Sequence, residues 1–277
     1  MVIQHNIAAI NSYRNLSTNQ SALSKNLEKL SSGYKINRAG DDAAGLAISE
    51  TMRSQINGLN QAVNNANDAV GLIQTAEGAL TETHSMLQRM KTLTTQAANG
   101  TYTETARDNI QAEINALNKE IDRIATTTEF NGEKPLSPAT GGNNTANLTF
   151  FIGASAATAN AMTVAQKSMT QTALQINTIS VKTTTLAFAA MKSVDAAIDT
   201  VSSYRATLGA AQNRLEHTVN NLKVTSENIT SAESRIRDTD MADEITAYTK
   251  NNILLQAAQS MLSQSNAMPQ GVLSMLQ

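Results

Sequence analysis

The chain has 277 residues, 41% of them apolar, a formal net charge of −2, no cysteine, no tryptophan and only 3% aromatics. Charges of both signs are scattered, which leaves no basic surface for nucleic acid and no polybasic patch for anionic lipid, and the missing cysteines exclude disulfides and thiolate metal sites. Ala, Leu, Ile, Met and Val carry the apolar content, and such side chains suit long helical seams better than a spherical core closed by aromatic rings.

The first residues, Met1-Val2-Ile3-Gln4-His5-Asn6-Ile7, lack a positive region and a continuous apolar run. They are not expected to form a cleaved Sec-type signal, and no later segment has the length and apolarity of a membrane span. Ile3, Ile7, Ile10, Leu16, Leu23, Leu27 and Leu30 recur at helical spacing and predict an amphipathic helix. Ser31 to Gly40 interrupts it, and Asp41-Asp42 is suited to cap the next helix.

That second helix carries Met52, Ile56, Leu59, Val63, Ala66, Val70, Ile73, Leu80 and Leu87, with Leu72, Ala79, Met86 and Leu93 as a neighbouring row. Two rows make a face wide enough to touch two helices. After a break at Asn99-Gly100, Ile110, Ile114, Leu117, Ile121 and Ile124 predict a third helix near Glu104 to Thr127.

Between residues 130 and 185 the helical pattern stops. Asn131-Gly132, Pro135, Pro138 and Gly141-Gly142-Asn143-Asn144 are turn signals, and Leu148 to Ile152 reads as a strand, so a small β-hairpin region is expected. The Ser/Thr-rich segment from Ser137 to Thr185 is the expected exposed face and a candidate for O-linked glycans, the alternative being that composition alone produces such a run.

The strongest signal follows. Val194, Val201, Leu208, Leu215, Leu222, Ile229 and Ile236 recur every seven residues without a miss. Met191, Ile198 and Val219 supply a second row, interrupted by Arg205, Gln212, Ser226 and Glu233. This predicts a helix from about Ala187 to Arg237, about 75 Å long at ~1.5 Å per residue, that needs partners along its length. Ile245, Tyr248, Leu255, Ala258 and Leu262 predict a last amphipathic helix, and the two terminal helices should pair with one another. The fold class is therefore mainly α, a long antiparallel helical bundle with a small β-hairpin region. Residues 1–40 with 238–277 are expected to form a terminal coiled-coil domain, and residues 41–237, including the short 130–185 insertion, a helical rod domain.

Several ungapped stretches resemble bacterial flagellins: Asn6-Ile7-Ala8-Ala9, Lys29 to Gly33, Ile36 to Ile48, Ile73 to Leu80, Leu208 to Leu215 and Ala232 to Ala242. The resemblance implies inner and outer rod domains, no large outer domains, and a secreted subunit of the extracellular filament that polymerises with itself and drives motility. It also implies export through the flagellar type III channel, and an export chaperone, the filament cap and hook-junction proteins as partners. A hook-filament junction protein is the alternative, and the stretches 37–45 and 232–241 favour flagellin. A coiled-coil signalling module would show a sensor domain or membrane span. The apolar positions Ile3, Ile7, Ile10, Leu23, Leu27, Leu30, Ile245, Leu255 and Leu262 are the expected polymerisation faces, on segments expected to order fully only on assembly.

By the same resemblance, Arg89, Leu93 and Glu113 match positions at which animal Toll-like receptor 5 recognises many flagellins, with Thr92 where an acidic residue is common. The alternative is that Leu93 is core and Arg89 and Glu113 form a surface pair. No catalytic set, cofactor motif or metal motif is read: His5, His84 and His217 are far apart, Asp41-Asp42 is more simply a cap, and Gly141-Gly142 lacks the Lys of a phosphate loop.

Overall fold

Local capping chemistry sets where the helices begin and end. The computed structural model of the protein describes residues 6–137, 147–155, 157 and 160–275, so Ile3, His5, Pro138 and the 141–144 turn lie outside the described residues. Helix α1 (Ile7–Ser32) starts where the Asn6 side chain accepts the Ala9 amide at 3.1 Å, and ends at Gly33, whose φ of 75° is the left-handed cap that glycine adopts without strain. Helix α2 (Ala43–Ala98) starts at Asp42, whose carboxylate accepts the Gly45 amide at 2.9 Å. Asp41 has a different task from its neighbour. It accepts the amides of Arg38 (3.0 Å) and Asn37 (3.2 Å), and these bonds hold its carboxyl below the ordinary carboxylate range.

Helix α3 (Glu104–Thr127) is capped by Thr103, and α2 ends one residue before Asn99-Gly100, as the sequence predicts. Strands β1 (Asn147–Phe151) and β2 (Ala161–Ala165) pair antiparallel with Leu148 opposite Val164 and Phe150 opposite Met162. Helix α4 (Thr184–Arg237) and helix α5 (Met241–Met275) complete the chain, the latter capped by Asp240 accepting the Ala242 amide at 2.9 Å.

Two compact units result, Met1–Gln55 with Glu227–Gln277, and Ile56–Ser226. The division falls inside α2 and α4, whereas the sequence reading places it at residues 40 and 238. The reason lies in the first unit, where the start of α2 pairs with the end of α4: Ser49 donates to Glu233 at 2.9 Å, and Arg237 meets Glu50 at 3.0 Å. Lys35 donates its amide to the Arg237 carbonyl at 2.6 Å, and the Arg237 guanidinium stacks 4.6 Å from the Tyr34 ring centre.

The second unit has the apolar core. Ile73, Leu80, Leu87, Met90 and Leu93 of α2, Ile114 and Ile121 of α3, and Val194, Val201, Leu208 and Leu215 of α4 form one buried cluster. Lys91 pairs with Asp195 at 2.7 Å and Arg205 with Glu77 at 3.6 Å, which fixes α2 and α4 as antiparallel neighbours here.

The stretch from Ser137 to Thr185 is not simply an exposed face. Met162, Val164, Met169, Leu174, Ile176, Ile179 and Val181 are buried in the same cluster. Irregular backbone laid against a helix needs hydrogen-bond partners, and α3 provides them through side chains one above another. Asn118 donates to the Ile176 carbonyl at 2.8 Å. Gln111 donates to the Ile179 carbonyl at 3.0 Å and accepts the Val181 amide at 2.7 Å.

Candidate assembly surface

Helices α1 and α5 pack on each other as an antiparallel pair. The Asn6 amide donates to the Ser265 carbonyl at 2.8 Å at one end, Lys29 lies 3.7 Å from Glu244 near the other, and Tyr34 bridges Asp238 where the helices meet the rest of the chain. On α1 the inward positions are Ala9, Ser12, Leu16, Asn19, Leu23, Asn26 and Leu30, at alternating steps of three and four. On α5 they are Glu244, Tyr248, Asn251, Leu255, Ala258, Leu262 and Ser265, in the same rhythm.

This seam is polar for its length: in the first unit's helix pair only Asn26 (8% exposed) and Ser265 (8%) reach full burial among the described residues. With its amide turned to donate, Asn26 reaches Glu244 Oε1 at 3.2 Å, and its oxygen accepts from the Asn251 side chain at 3.2 Å. A buried asparagine in a helix seam fixes register at a cost in stability.

The residues expected on one polymerisation face therefore divide between two. Leu23, Leu30, Leu255 and Leu262 face the partner helix within the chain. Ile7 (65% exposed), Ile10 (61%), Leu27 (48%) and Ile245 (51%) point away from it, as do Tyr13, Ile253, Leu254, Met261 and Met268, which the sequence reading did not single out. The signal for these was available: Leu254, Ala257 and Met261 repeat the seam's spacing one residue out of step with Leu255, Ala258 and Leu262.

The heptad row of α4 also divides. Val194, Val201, Leu208, Leu215 and Leu222 are buried in the second unit, while Ile229 and Ile236 are half-buried in the first. Arg89 and Glu113 form an exposed ion pair at 2.8 Å between α2 and α3, but Leu93 is 2% exposed and belongs to the core. His84 is half-buried beside Gln88, His217 is exposed, and among the described residues no group of three His, Asp or Glu could hold a metal ion. No described helix is long and apolar enough to cross a membrane.

Residues 3–140 match the family model of the bacterial flagellin N-terminal helical region, and residues 191–276 that of the flagellin C-terminal helical region. The chain belongs to the bacterial flagellins. The flagellin of Bacillus subtilis strain 168 is 52% identical over the whole of both chains. The crystal structure of Bacillus cereus flagellin matches 61% of this chain and 94% of that one at 33% identity and a TM-score of 0.51. A Vibrio parahaemolyticus chain described as hook-associated shares the fold, with a TM-score of 0.57 over 72% of this chain, but at 12% identity the likeness is one of fold alone. A flagellin is a structural protein, and this one is a subunit of the bacterial flagellar filament. The two unpartnered helix faces at its chain ends acquire meaning in that light.

Proposed function

We propose that this flagellin polymerises by burying the outer faces of α1 and α5 against neighbouring copies, with residues 1–40 and 238–277 as the filament's inner domain, the start of α2 and the end of α4 packed in the same compact unit, and the second unit as its outer helical domain. The observation that carries this reading is the apolar set Ile7, Ile10, Tyr13, Leu27, Ile253, Leu254 and Met261, each 40–65% exposed although the α1–α5 seam is already closed. Large apolar side chains left exposed along one helix face mark an interaction surface. The contacts are heterologous, one surface meeting a different one on the next copy, because such contacts propagate into a helix.

The outcome is mechanical, and Asp41 and Asp42, the adjacent acids, serve the backbone: both accept from its amides. The subunit leaves the cell through the flagellar type III channel, handled by an export chaperone and inserted under the filament cap beyond the hook-junction proteins. Its final place is the extracellular filament. The test is truncation. Chains lacking residues 1–36, or residues from about 247 on, should keep the second unit folded and give no filaments by electron microscopy; filaments from either would sink the reading.

Toll-like receptor 5 is a further partner supported by the presented Arg89–Glu113 pair. In a receptor reporter assay Arg89→Ala should lower the response, and a response equal to wild type removes this partner. Leu93→Ala is not informative there, because truncating a fully buried leucine costs about 2–5 kcal/mol of stability.

A further inference from the structure

Helix α5 carries two stripes. Positions 255, 258, 262 and 265 face α1, and positions 254, 257, 261, 264 and 268, holding Leu, Ala, Met, Gln and Met, run beside them on the outer face. We propose that Met261 and Met268 are oxidation sites, through which a peroxide blocks assembly of the free subunit and spares the polymer. This rests on the assembly reading above.

The observation is a contrast between two sets of methionines at the extremes of exposure, with Met52, Met86 and Met191 half-buried between them. Met261 is 63% exposed and Met268 is 56% exposed, on the outer stripe. Met90 (0%), Met162 (5%) and Met169 (1%) are enclosed in the second unit's core. A core needs adaptable fillers, and buried thioethers serve that purpose. An exposed thioether at a face awaiting a partner is instead open to electrophilic oxygen.

In the reaction, a lone pair on Sδ attacks one oxygen of hydrogen peroxide. The S–O bond forms, the O–O bond breaks, and the other oxygen departs as water, taking up the proton that the attacked oxygen gives up. Sulfur is oxidised by two electrons and the peroxide is reduced by two. The sulfoxide is polar and strongly hydrogen-bonding. Buried against a neighbouring copy beside Leu254 and Ala257, its oxygen loses water, and these apolar neighbours offer no hydrogen-bond donor in its place. Once the polymer has formed, the same contact covers both sulfurs.

The experiment treats monomer and filament separately with hydrogen peroxide, maps sulfoxides by peptide mass spectrometry, and measures seeded elongation of each product. In the monomer, Met261 and Met268 should oxidise roughly tenfold or more faster than Met90, Met162 and Met169, following accessibility. The critical concentration of the oxidised monomer should rise roughly tenfold or more, the cost of an unpaired buried polar group, and methionine sulfoxide reductase should reverse the rise. In filaments both residues should be as slow as the core methionines.

For Met261→Leu/Met268→Leu, the ratio of critical concentrations with and without peroxide should be close to one, whatever the variant's own value. Met241→Leu, which removes a 46% exposed methionine off this stripe, should keep the wild-type sensitivity. The proposal is overturned if the double leucine variant loses assembly as wild type does, if doubly oxidised wild type elongates normally, or if intact filaments oxidise at both sites as monomers do. Unoxidised Met261→Gln/Met268→Gln, with helicity checked by circular dichroism, separates the two claims. If it elongates like wild type, the assembly reading of this stripe fails and takes the proposal with it. If it does not elongate while oxidised wild type does, only the oxidation claim fails.

Discussion

The Ser49 hydroxyl donates to the Glu233 carboxylate at 2.9 Å, joining a fully buried serine on α2 to a charged residue that interrupts the apolar row of α4. Other interruptions in that row are met in the same way within their own unit: Arg205 faces Glu77 at 3.6 Å, and Ser226 donates to Asn60 at 3.2 Å. A one-turn slip of α4 along α2 would leave these groups without partners, whereas an uninterrupted aliphatic seam would accept several registers.

Ser49→Ala should therefore cost about 1–3 kcal/mol, mostly because a partly buried Glu233 carboxylate loses its donor. Ser49→Ala/Glu233→Leu should recover much of the loss, since removing both partners leaves nothing unpaired. Chemical denaturation of the subunit reads both values. Equal stability of wild type and Ser49→Ala would mean that water replaces the hydroxyl and that the pair does not set register.

Most of the helical architecture was legible in the sequence because it depends on repeated positions. The sevenfold row from Val194 to Ile236 and the Glu104 to Thr127 helix rest on periods that side-chain burial imposes directly. Two features were not. The segment after β2 looked like an exposed insertion, because its apolar residues Leu174, Ile176, Ile179 and Val181 are diluted by Thr, Ser and Gln and its hydrogen bonds go to side chains of α3. The α1 and α5 residues formed one list of apolar positions, because a sequence row does not say which of two adjacent helix faces meets the partner inside the chain. Asn26 and Ser265 mark that inner face better than any leucine, since polar groups are buried only where something pairs with them.

Gly45 illustrates a glycine kept for space. A Cβ there would run into the Asp42 carboxylate and lie 2.8 Å from Ile36 Cδ1, and Ile36 is 3% exposed, so it has little room to turn aside. Gly45→Ala gains about 1 kcal/mol of helix propensity. Against that stand overpacking of about 1–3 kcal/mol and partial loss of the Asp42 cap, worth ~1 kcal/mol. The expected balance is a net loss of about 1–3 kcal/mol, read by hydrogen exchange at the start of α2. A stabilised variant would show that Ile36 and Asp42 yield freely.

Tyr204 is the phenol of the second unit's core, 5% exposed, and burial pushes its pKa above the ordinary value of 10.0, opposed by a hydrogen bond to the Lys167 backbone. Its folded-state pKa is raised, so its contribution is fully present below the unfolded value and is lost as pH rises from about 10 through the folded one. Ultraviolet titration should show Tyr204 ionising above its ordinary value of 10.0, and the unfolding midpoint should fall over that interval. Tyr204→Phe should flatten this part of the curve. A Tyr204 that ionises at the ordinary value of 10.0 would mean that the core admits water at that point.

Gln111 tests whether the loop after β2 is part of the core or a covering over it. Its amide donates to the Ile179 carbonyl at 3.0 Å and its oxygen accepts the Val181 amide at 2.7 Å, so one side chain completes two backbone groups at buried residues. Gln111→Ala removes both at once and leaves an orphaned amide and carbonyl, for a cost of about 2–4 kcal/mol if each unpaired group contributes ~1–2 kcal/mol. Gln111→Glu is the sharper comparison. The carboxylate still accepts from Val181 but has no N–H for Ile179, so its loss should fall between wild type and alanine. Because Leu174, Ile176, Ile179 and Val181 belong to one cluster with α2, α3 and α4, the loss should appear in global unfolding of the second unit. If Gln111→Ala raised hydrogen exchange only between residues 174 and 183, with the unit's unfolding midpoint unchanged, the loop would be an independent covering.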